Sequence, residues 1–339
     1  MPVFYHTTST SGKAQGVRRG PWPKKAPPAH HQPRTSIPNA STQPDPVLPE
    51  NLKQPADNSA DRFRNLKCRS FNDLFSRQAT VSKRPALLHF HGTLADLLSR
   101  DSSAADARGR VIYPVTRRAS IKDVIEAMGP PHTEVGSIET GGREVGFDHL
   151  LEAGEQVDIR PIVPPFEVLR PSLLRPEPLA RIAFAVDANA GRLATLLRML
   201  GFDTAYDKTL DDAPLAELAV QEGRIVLSKD RNLLKRTVIE FGSLIRTDDP
   251  NKQLCEVLRL FDLRPPYHPF SRCLLCNAVL EPVPKAEIMH RLLPLTKRHY
   301  LDFHRCPHCD KIYWPGSHHD HMQERIENLC RDLFVDSAG

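Results

Sequence analysis

Six aspartates stand where a strand-like run hands over to a helix-like one. Asp187 follows the apolar run IAFAV (182–186), and Asp230 follows RIVLSK (224–229). Asp248 and Asp249 follow SLIRT (243–247), and Asp211 and Asp212 precede a helical stretch. In an open α/β sheet, ligands bind beyond the carboxyl ends of the strands, so these positions should converge on one crevice. Carboxylates crowded there repel and raise each other's pKa unless a cation sits among them. Hard oxygen donors select Mg2+ or Mn2+, and such ions activate water and stabilise the leaving oxygen in phosphodiester hydrolysis. Helix capping is the competing account, because Asp is a favoured N-cap and each of these residues borders a helix start. Joint placement on one sheet edge is what favours the metal reading.

Basic residues flank the same edge: Arg192 and Arg198 on the first helix, Lys229 and Arg231 around Asp230, then Lys235 and Arg236. They read either as a solvated helix face or as phosphate contacts along a nucleic-acid strand. A second motif is more specific. Cys273-Leu-Leu-Cys276 and Cys306-Pro-His-Cys309 are two CxxC pairs with 29 residues between them. Four thiolates so spaced satisfy tetrahedral Zn2+ in a ribbon, and a four-Cys shell with no open position is structural. A helix or strand excursion over 285–299 should fill the gap. Cys68, Cys255 and Cys330 read as bystanders. Of the 15 histidines, seven lie between His290 and His321. Most read as packing or surface residues. His318, with Tyr313 and Trp314 nearby, is the best candidate for contact with RNA bases or phosphates.

The elements that must position these groups follow from pattern. Over 181–262 strands alternate with helices: a strand at 182–186, a helix with Leu193, Leu196, Leu197 and Leu200 on one face, and a short strand at 202–206. A helix at 213–222, a strand at 224–227, a helix at 232–241, a strand at 243–246 and a helix at 250–261 follow. This order predicts a small, parallel, doubly wound sheet in the α/β class. Residues 86–163 read as a separate β-grasp domain: two strands, a helix opened by Ser120 and closed at Gly129-Pro130, a Gly141-Gly142 hairpin and a last strand. The segment runs on into Pro164-Pro165 rather than ending in Gly-Gly, so interaction or scaffolding is expected of it, not conjugation. The boundaries expected are a tail over 1–84, the β-grasp domain over 85–164, the parallel-sheet domain over 180–264, the ribbon over 265–321 and a C-terminal helix or tail over 322–339.

Composition limits the alternatives. The chain carries 46 Lys+Arg against 41 Asp+Glu, but residues 1–84 hold 14 of the cations and 5 of the anions, so the remainder is mildly acidic. A basic pI therefore does not by itself make the protein a nucleic-acid binder. The same segment holds 11 of the 31 prolines and few apolar residues, which predicts a disordered tail. Within it, Phe63, Leu66, Phe71, Leu74 and Phe75 have the spacing of a short basic amphipathic helix. No apolar run reaches the ~18–20 residues of a membrane span. No apolar leader opens the chain, and a cytoplasmic location is expected.

The runs VDANAGRLATLLRMLGFDTAYD, LDDAPLAELA, GRIVLSKDRNLLKR, IRTDDP, FSRCLLCNAVLEPV and RCPHCDKIYWPGSHH together resemble the Mut-seven C-terminal RNase family. Upstream, ALLHFHG, SIKDVIEAMGPPHTEVG and VDIRP resemble the ubiquitin-like domain fused before it. The resemblance spans about residues 86–320. It implies a PIN-like nuclease domain preceded by a β-grasp domain and followed by a zinc ribbon, hydrolysing RNA with Mg2+ or Mn2+. The implied catalytic residues are Asp187, Asp212, Asp230 and Asp248. Asp211 and Asp249 are the alternatives within their pairs, and Glu217 is an added acid on the second helix. Arg192, Lys229, Arg231 and His318 are the implied RNA contacts, and Cys273, Cys276, Cys306 and Cys309 hold Zn2+. PIN domains pair, so a homodimer is an open expectation. The β-grasp domain is expected to meet the ribosome or another protein. A non-catalytic RNA- or ribosome-binding adaptor is the alternative, and a small-substrate phosphatase is a third reading, because Asp clusters also mark strand ends in phosphatases.

Overall fold

The computed structural model describes residues 84–99, 106–269 and 271–316, with Glu324 and Asn328, both helical. The expected tail with its 63–75 helix, His318, and most of the expected C-terminal helix lie outside the described residues.

The first sheet alternates buried and half-exposed positions, as one-sided strands must. Strand β1 (Ala86–Phe90) buries Ala86, Leu88 and Phe90, and a 3-10 turn follows it. Then come β2 (Arg110–Tyr113), α1 (Ile121–Met128), β3 (Val135–Thr140), β4 (Arg143–Glu144) and β5 (Gln156–Pro161). The order across the sheet is β2-β1-β5-β3-β4, with β1 and β5 parallel at its centre. That is a β-grasp. Helix α1 starts where expected: Ser120 Oγ accepts the Asp123 N–H at 3.1 Å. Its buried residues Ile121, Val124 and Ile125 close the core over Leu88, Ile138 and Ile159.

The second sheet is wholly parallel. It comprises β6 (Phe184–Val186), β7 (Thr204–Ala205), β8 (Ile225–Ser228) and β9 (Gly242–Leu244) in the order β7-β6-β8-β9. The chain leaves β6 toward β7, then returns past β6 to build β8 and β9. The topological switch point therefore lies between β6 and β8, where an open sheet opens its binding crevice. Helices α2 (Gly191–Met199) and α5 (Pro250–Leu260) cover one face, over Phe184, Val186, Ile225 and Leu227. Helices α3 (Asp212–Glu222) and α4 (Arg231–Leu234) cover the other, over Ala185, Val226 and Leu244. The helix expected over 232–241 ends after one turn. Thr237, Val238 and Ile239 are β-branched and poor helix formers. The carbonyls of Ile239 and Glu240 are bonded instead by His132 Nε2 (2.8 Å) and Arg175 Nε (3.2 Å).

Those two bonds belong to a wide seam. The β-grasp core and the α3/α4 face form one continuous apolar cluster, so the β-grasp sheet packs as a further layer on the parallel sheet. Glu134 completes the edge strand: one carboxylate oxygen accepts the Leu244 N–H (2.8 Å) and the other pairs with Arg246 (2.6 Å). Gly242 permits the approach, because a Cβ there would meet Leu234 Cδ2 at 2.8 Å and Thr133 Cγ2 at 3.4 Å. Arg175, in the connection between the domains and 2% exposed, bonds the carbonyls of His132, Thr133 and Val135 on one side and Glu240 on the other. Burial brings its pKa down to about 10, against the charges of Glu240 and Glu134. Arg175→Ala strands these carbonyls in an apolar seam, and a buried unmet acceptor costs ~1–3 kcal/mol. We expect about 3 kcal/mol of destabilisation by urea titration, and a loss below 1 kcal/mol would mean that the seam is not held this way.

The ribbon comprises β10 (Glu281–Pro282), β11 (His304–Arg305) and β12 (Ile312–Tyr313) in antiparallel order. The long gap between the Cys pairs holds α6 (Lys285–Ile288) and α7 (Pro294–His299), which bury Ile288 and Leu292 against Val283 and Phe303. Among the described residues no helix is long and apolar enough to cross a membrane.

Candidate active site and metal centre

Asp187 ends the central strand β6 and is only 6% exposed. Its backbone N–H is bonded to Leu227 O on β8 (3.0 Å), which fixes it at the switch point. Its side chain does not cap the following turn. Instead Oδ2 accepts from Ser228 Oγ (2.8 Å) and Asn189 Nδ2 (3.3 Å). The same Ser228 Oγ accepts the Asp230 N–H (2.8 Å). One buried hydroxyl thus links the Asp187 carboxylate to the backbone N–H of Asp230 at the same edge of the sheet. Asp230 also caps α4, accepting the Asn232 N–H at 2.7 Å.

The other acidic positions are arranged differently. Asp249 caps α5 through the Asn251 N–H (2.8 Å). Asp248 is fully exposed and ion-paired with Lys229, which holds its carboxyl below the ordinary value. Asp211 takes the N-cap position of α3 without a side-chain capping bond, Asp212 lies in that helix's first turn, and Glu217 is exposed farther along. Capping therefore accounts for Asp249 and partly for Asp230, but not for Asp187. Among the described residues no three of these carboxylates come within 4.8 Å of one another. The donor set still suits Mg2+, which is held by one or two carboxylates with waters and substrate phosphates completing its shell.

Of the basic flank, Arg192 is exposed on α2. Lys229 is engaged by Asp248, and Arg231 donates one guanidinium N–H to Leu97 O (3.1 Å) on the ubiquitin-like domain. Lys235 reaches Glu126 O (2.7 Å) in the same way. Arg198 is buried and serves the ribbon, donating to Thr204 O (2.9 Å), Leu274 O (3.1 Å) and Leu275 O (2.8 Å). Sequence reasoning passed over Ser228 and Asn189. Ser228 did leave a signal, as a polar residue closing an otherwise apolar strand just before Lys229-Asp230.

The four cysteines converge. Cys273 and Cys309 sulfurs are 3.5 Å apart, Cys276 and Cys306 3.3 Å, and Cys276 and Cys309 3.9 Å. Tetrahedral Zn2+ with ~2.3 Å bonds needs sulfurs ~3.8 Å apart, so the set fits the ion. Both knuckles repeat one turn. Cys273 O accepts the Asn277 N–H (2.9 Å) and Cys306 O accepts the Asp310 N–H (3.0 Å). Asn277 and Asp310 take φ of 68° and 57°, a conformation that Asn and Asp tolerate better than other side chains. Tyr313 is turned inward rather than offered to RNA: its hydroxyl accepts the Leu274 N–H and meets Cys273 Sγ, both at 3.1 Å. Burial raises the Cys273 thiol, but that hydroxyl and the knuckle N–H groups outweigh it and bring the pKa to about 6. Trp314 packs on Phe303.

Asp203 joins ribbon to sheet. It pairs with Arg224 (2.8 Å), Arg272 (3.4 Å) and Arg181, and accepts from Asn277 Nδ2 (2.8 Å). Burial raises its carboxyl, but Asn277, Arg224 and Arg272 together hold it well below the carboxylate range. A depressed folded pKa stabilises above the unfolded value of ~3.9 and is lost as pH falls through the folded value. We expect Asp203→Asn to melt lower at neutral pH, by about 3 kcal/mol of stability. The gap should close only below about pH 4. A gap independent of pH down to acid would refute this.

The family model of the Mut7-C RNAse domain matches residues 182–326, and that of the Mut7-C ubiquitin domain matches residues 84–167. No curated protein and no solved structure matches the chain. The two matched segments cover the β-grasp sheet, the parallel sheet with its acidic edge and the four-Cys ribbon in order, so the chain carries a segment similar to the Mut7-C ubiquitin domain followed by one similar to the Mut7-C RNAse domain.

Proposed function

We propose that the protein is a Mg2+- or Mn2+-dependent ribonuclease acting at the β6/β8 switch point. One observation carries this: the carboxylate of a buried aspartate that caps nothing is linked through Ser228 to the backbone of a second aspartate at the carboxyl edge of a parallel sheet. Asp187 and Asp230 would hold the ion, with Asp212 and Asp248 at the neighbouring strand and helix ends. A bound ion supplies Lewis acidity at phosphorus and a nucleophile at neutral pH. Ser228 and Asn189 fix the Asp187 carboxylate, so no reorganisation is needed when substrate arrives. Arg192 offers an exposed cation to the RNA backbone, and Lys229 becomes available when phosphate displaces Asp248. The zinc ribbon is anchored through Asp203 at the amino-terminal edge of the sheet, opposite the aspartates, so any RNA it holds would reach the site from that side, and the ubiquitin-like layer fixes α4 and β9.

The test uses the full chain, end-labelled single-stranded RNA, and Mn2+ or EDTA. Product is expected with Mn2+ and none with EDTA. RNA retention without product under either condition would instead support a binding adaptor, a reading favoured by the spacing of the carboxylates. Turnover of phosphomonoesters with intact RNA would point to a phosphatase.

A further inference from the structure

The outer face of the ubiquitin-like sheet carries a cluster remote in chemistry from both centres above. The pleat turns His89 outward from β1, and His91, two residues on, shares that face. Parallel pairing sets His89 directly beside Asp158 of β5. His89 Nδ1 lies 3.3 Å and His91 Nε2 2.6 Å from the same oxygen, Asp158 Oδ1, and the two imidazoles sit tilted by 41° with centroids 3.7 Å apart. The three donor atoms all fall within 4.8 Å of one another.

We propose that His89, His91 and Asp158 form a three-ligand site for a divalent transition metal such as Zn2+. Two imidazoles and one carboxylate are a donor set that transition ions favour over Mg2+ or Ca2+. Bonds of ~2.0–2.2 Å in a tetrahedron place donors ~3.4 Å apart. His89 already stands at about that spacing, and His91 would need to open from 2.6 Å by about 0.8 Å. The competing account is a plain His–Asp ion pair. It explains His91 at 2.6 Å well but leaves a second imidazole, His89, directed at the same oxygen from 3.3 Å. An ion resolves this by accepting lone pairs from all three. The nearby arginines do not preempt the carboxylate. Arg110 is bonded to Asp106 (2.8 Å) and Arg160 pairs with Glu139 (3.6 Å), so among the described residues both ion pairs of Asp158 are to imidazoles. The side chains are 35%, 28% and 42% exposed, which gives an ion a path in and leaves a coordination position toward solvent.

The experiment titrates the full chain, its ribbon already loaded with zinc, with Zn2+ by calorimetry and with Co2+ by visible absorption. One further equivalent is expected, and its Co2+ spectrum should lack the intense thiolate charge-transfer bands of a cysteine site. Asp187→Asn should keep this equivalent, which separates it from the proposed nuclease ion. His89→Ala and Asp158→Asn should each weaken it at least tenfold, and His89→Ala/His91→Ala should abolish it. These side chains lie outside the apolar core, and an unchanged melting temperature without metal verifies folding. Failure of the wild type to bind beyond the ribbon's equivalent, or binding that persists in the double variant, overturns the proposal.

Discussion

Asp187→Asn is expected to lower RNA hydrolysis at least 100-fold, equivalent to about 2.7 kcal/mol of transition-state stabilisation, while leaving the melting temperature nearly unchanged. The two effects separate because of where the residue sits. Asn keeps the volume of Asp, and its carbonyl oxygen can still accept from Ser228 Oγ. The Asn189 contact, at 3.3 Å, is the weaker of the two and is the one at risk. Removing a charge from a site that is 6% exposed relieves a desolvation cost, so stability has little to lose. Catalysis loses the charge that would hold a divalent ion. Asp230→Asn should show a similar loss of activity, because Asn is as good an N-cap as Asp and α4 stays intact. Initial rates with Mn2+ and a thermal melt check both variants. Cleavage at wild-type rates by either would remove the metal-site reading of the switch point. Asp248→Asn asks a different question. A comparable loss would mean that the Lys229–Asp248 pair opens when RNA binds, and a small one would restrict the site to the Ser228-linked pair.

What could be read from residue order was the local part. Ser120, Pro250 and the Cys-x-x-Cys turns act within three or four residues, so the helix starts and the knuckles fall where their patterns place them. The alternation of buried Ala86, Leu88 and Phe90 along β1 is a local feature of the same kind. The aspartates at strand ends could be placed on one sheet edge, because a parallel α/β order dictates which edge that is. Whether each one caps or is left to bind depended on bonds across the sheet. Ser228 lies 41 residues from Asp187, and no periodicity joins them. The seam between the domains was illegible for the same reason. Arg175 reads as one more arginine in a Pro-rich connection, yet it bonds Val135 O 40 residues back and Glu240 O 65 residues on. Glu134 reads as a strand end, but meets Leu244 and Arg246 more than 100 residues away. Arg198 falls on the helix that flanks the acidic edge, and only the folded ribbon shows that it serves Leu274 and Leu275 instead.

Cys276→Ser should empty the ribbon of zinc and unfold it while the two sheets remain. A hydroxyl is a poor replacement for a thiolate in a closed four-sulfur shell, and the ion supplies about 10 kcal/mol or more of the folding free energy of domains this small. The ribbon has little else to hold it. One apolar cluster consists chiefly of Cys273, Leu280, Cys306 and Tyr313, so half of its fully packed members are ligands themselves. The second, around Val283, Ile288, Leu292 and Phe303, lies on the helical insert and has no connection to the large sheet cores. Loss of the shell then spreads by a defined path. Arg198 loses the Leu274 and Leu275 carbonyls, and Asp203 loses Asn277, so a buried guanidinium and a half-buried carboxylate are left short of partners beside β7. The expected melt has two steps: an early one for the ribbon and its seam, and a later one for the shared core of the ubiquitin-like and nuclease layers. Elemental zinc per chain should fall by about one equivalent, the ribbon's own. Limited proteolysis should then cut after about residue 270 while sparing the two-sheet core that begins at β1. A zinc-free Cys276→Ser protein that melts in a single step at the wild-type temperature would show that packing, not thiolate ligation, holds this part of the fold.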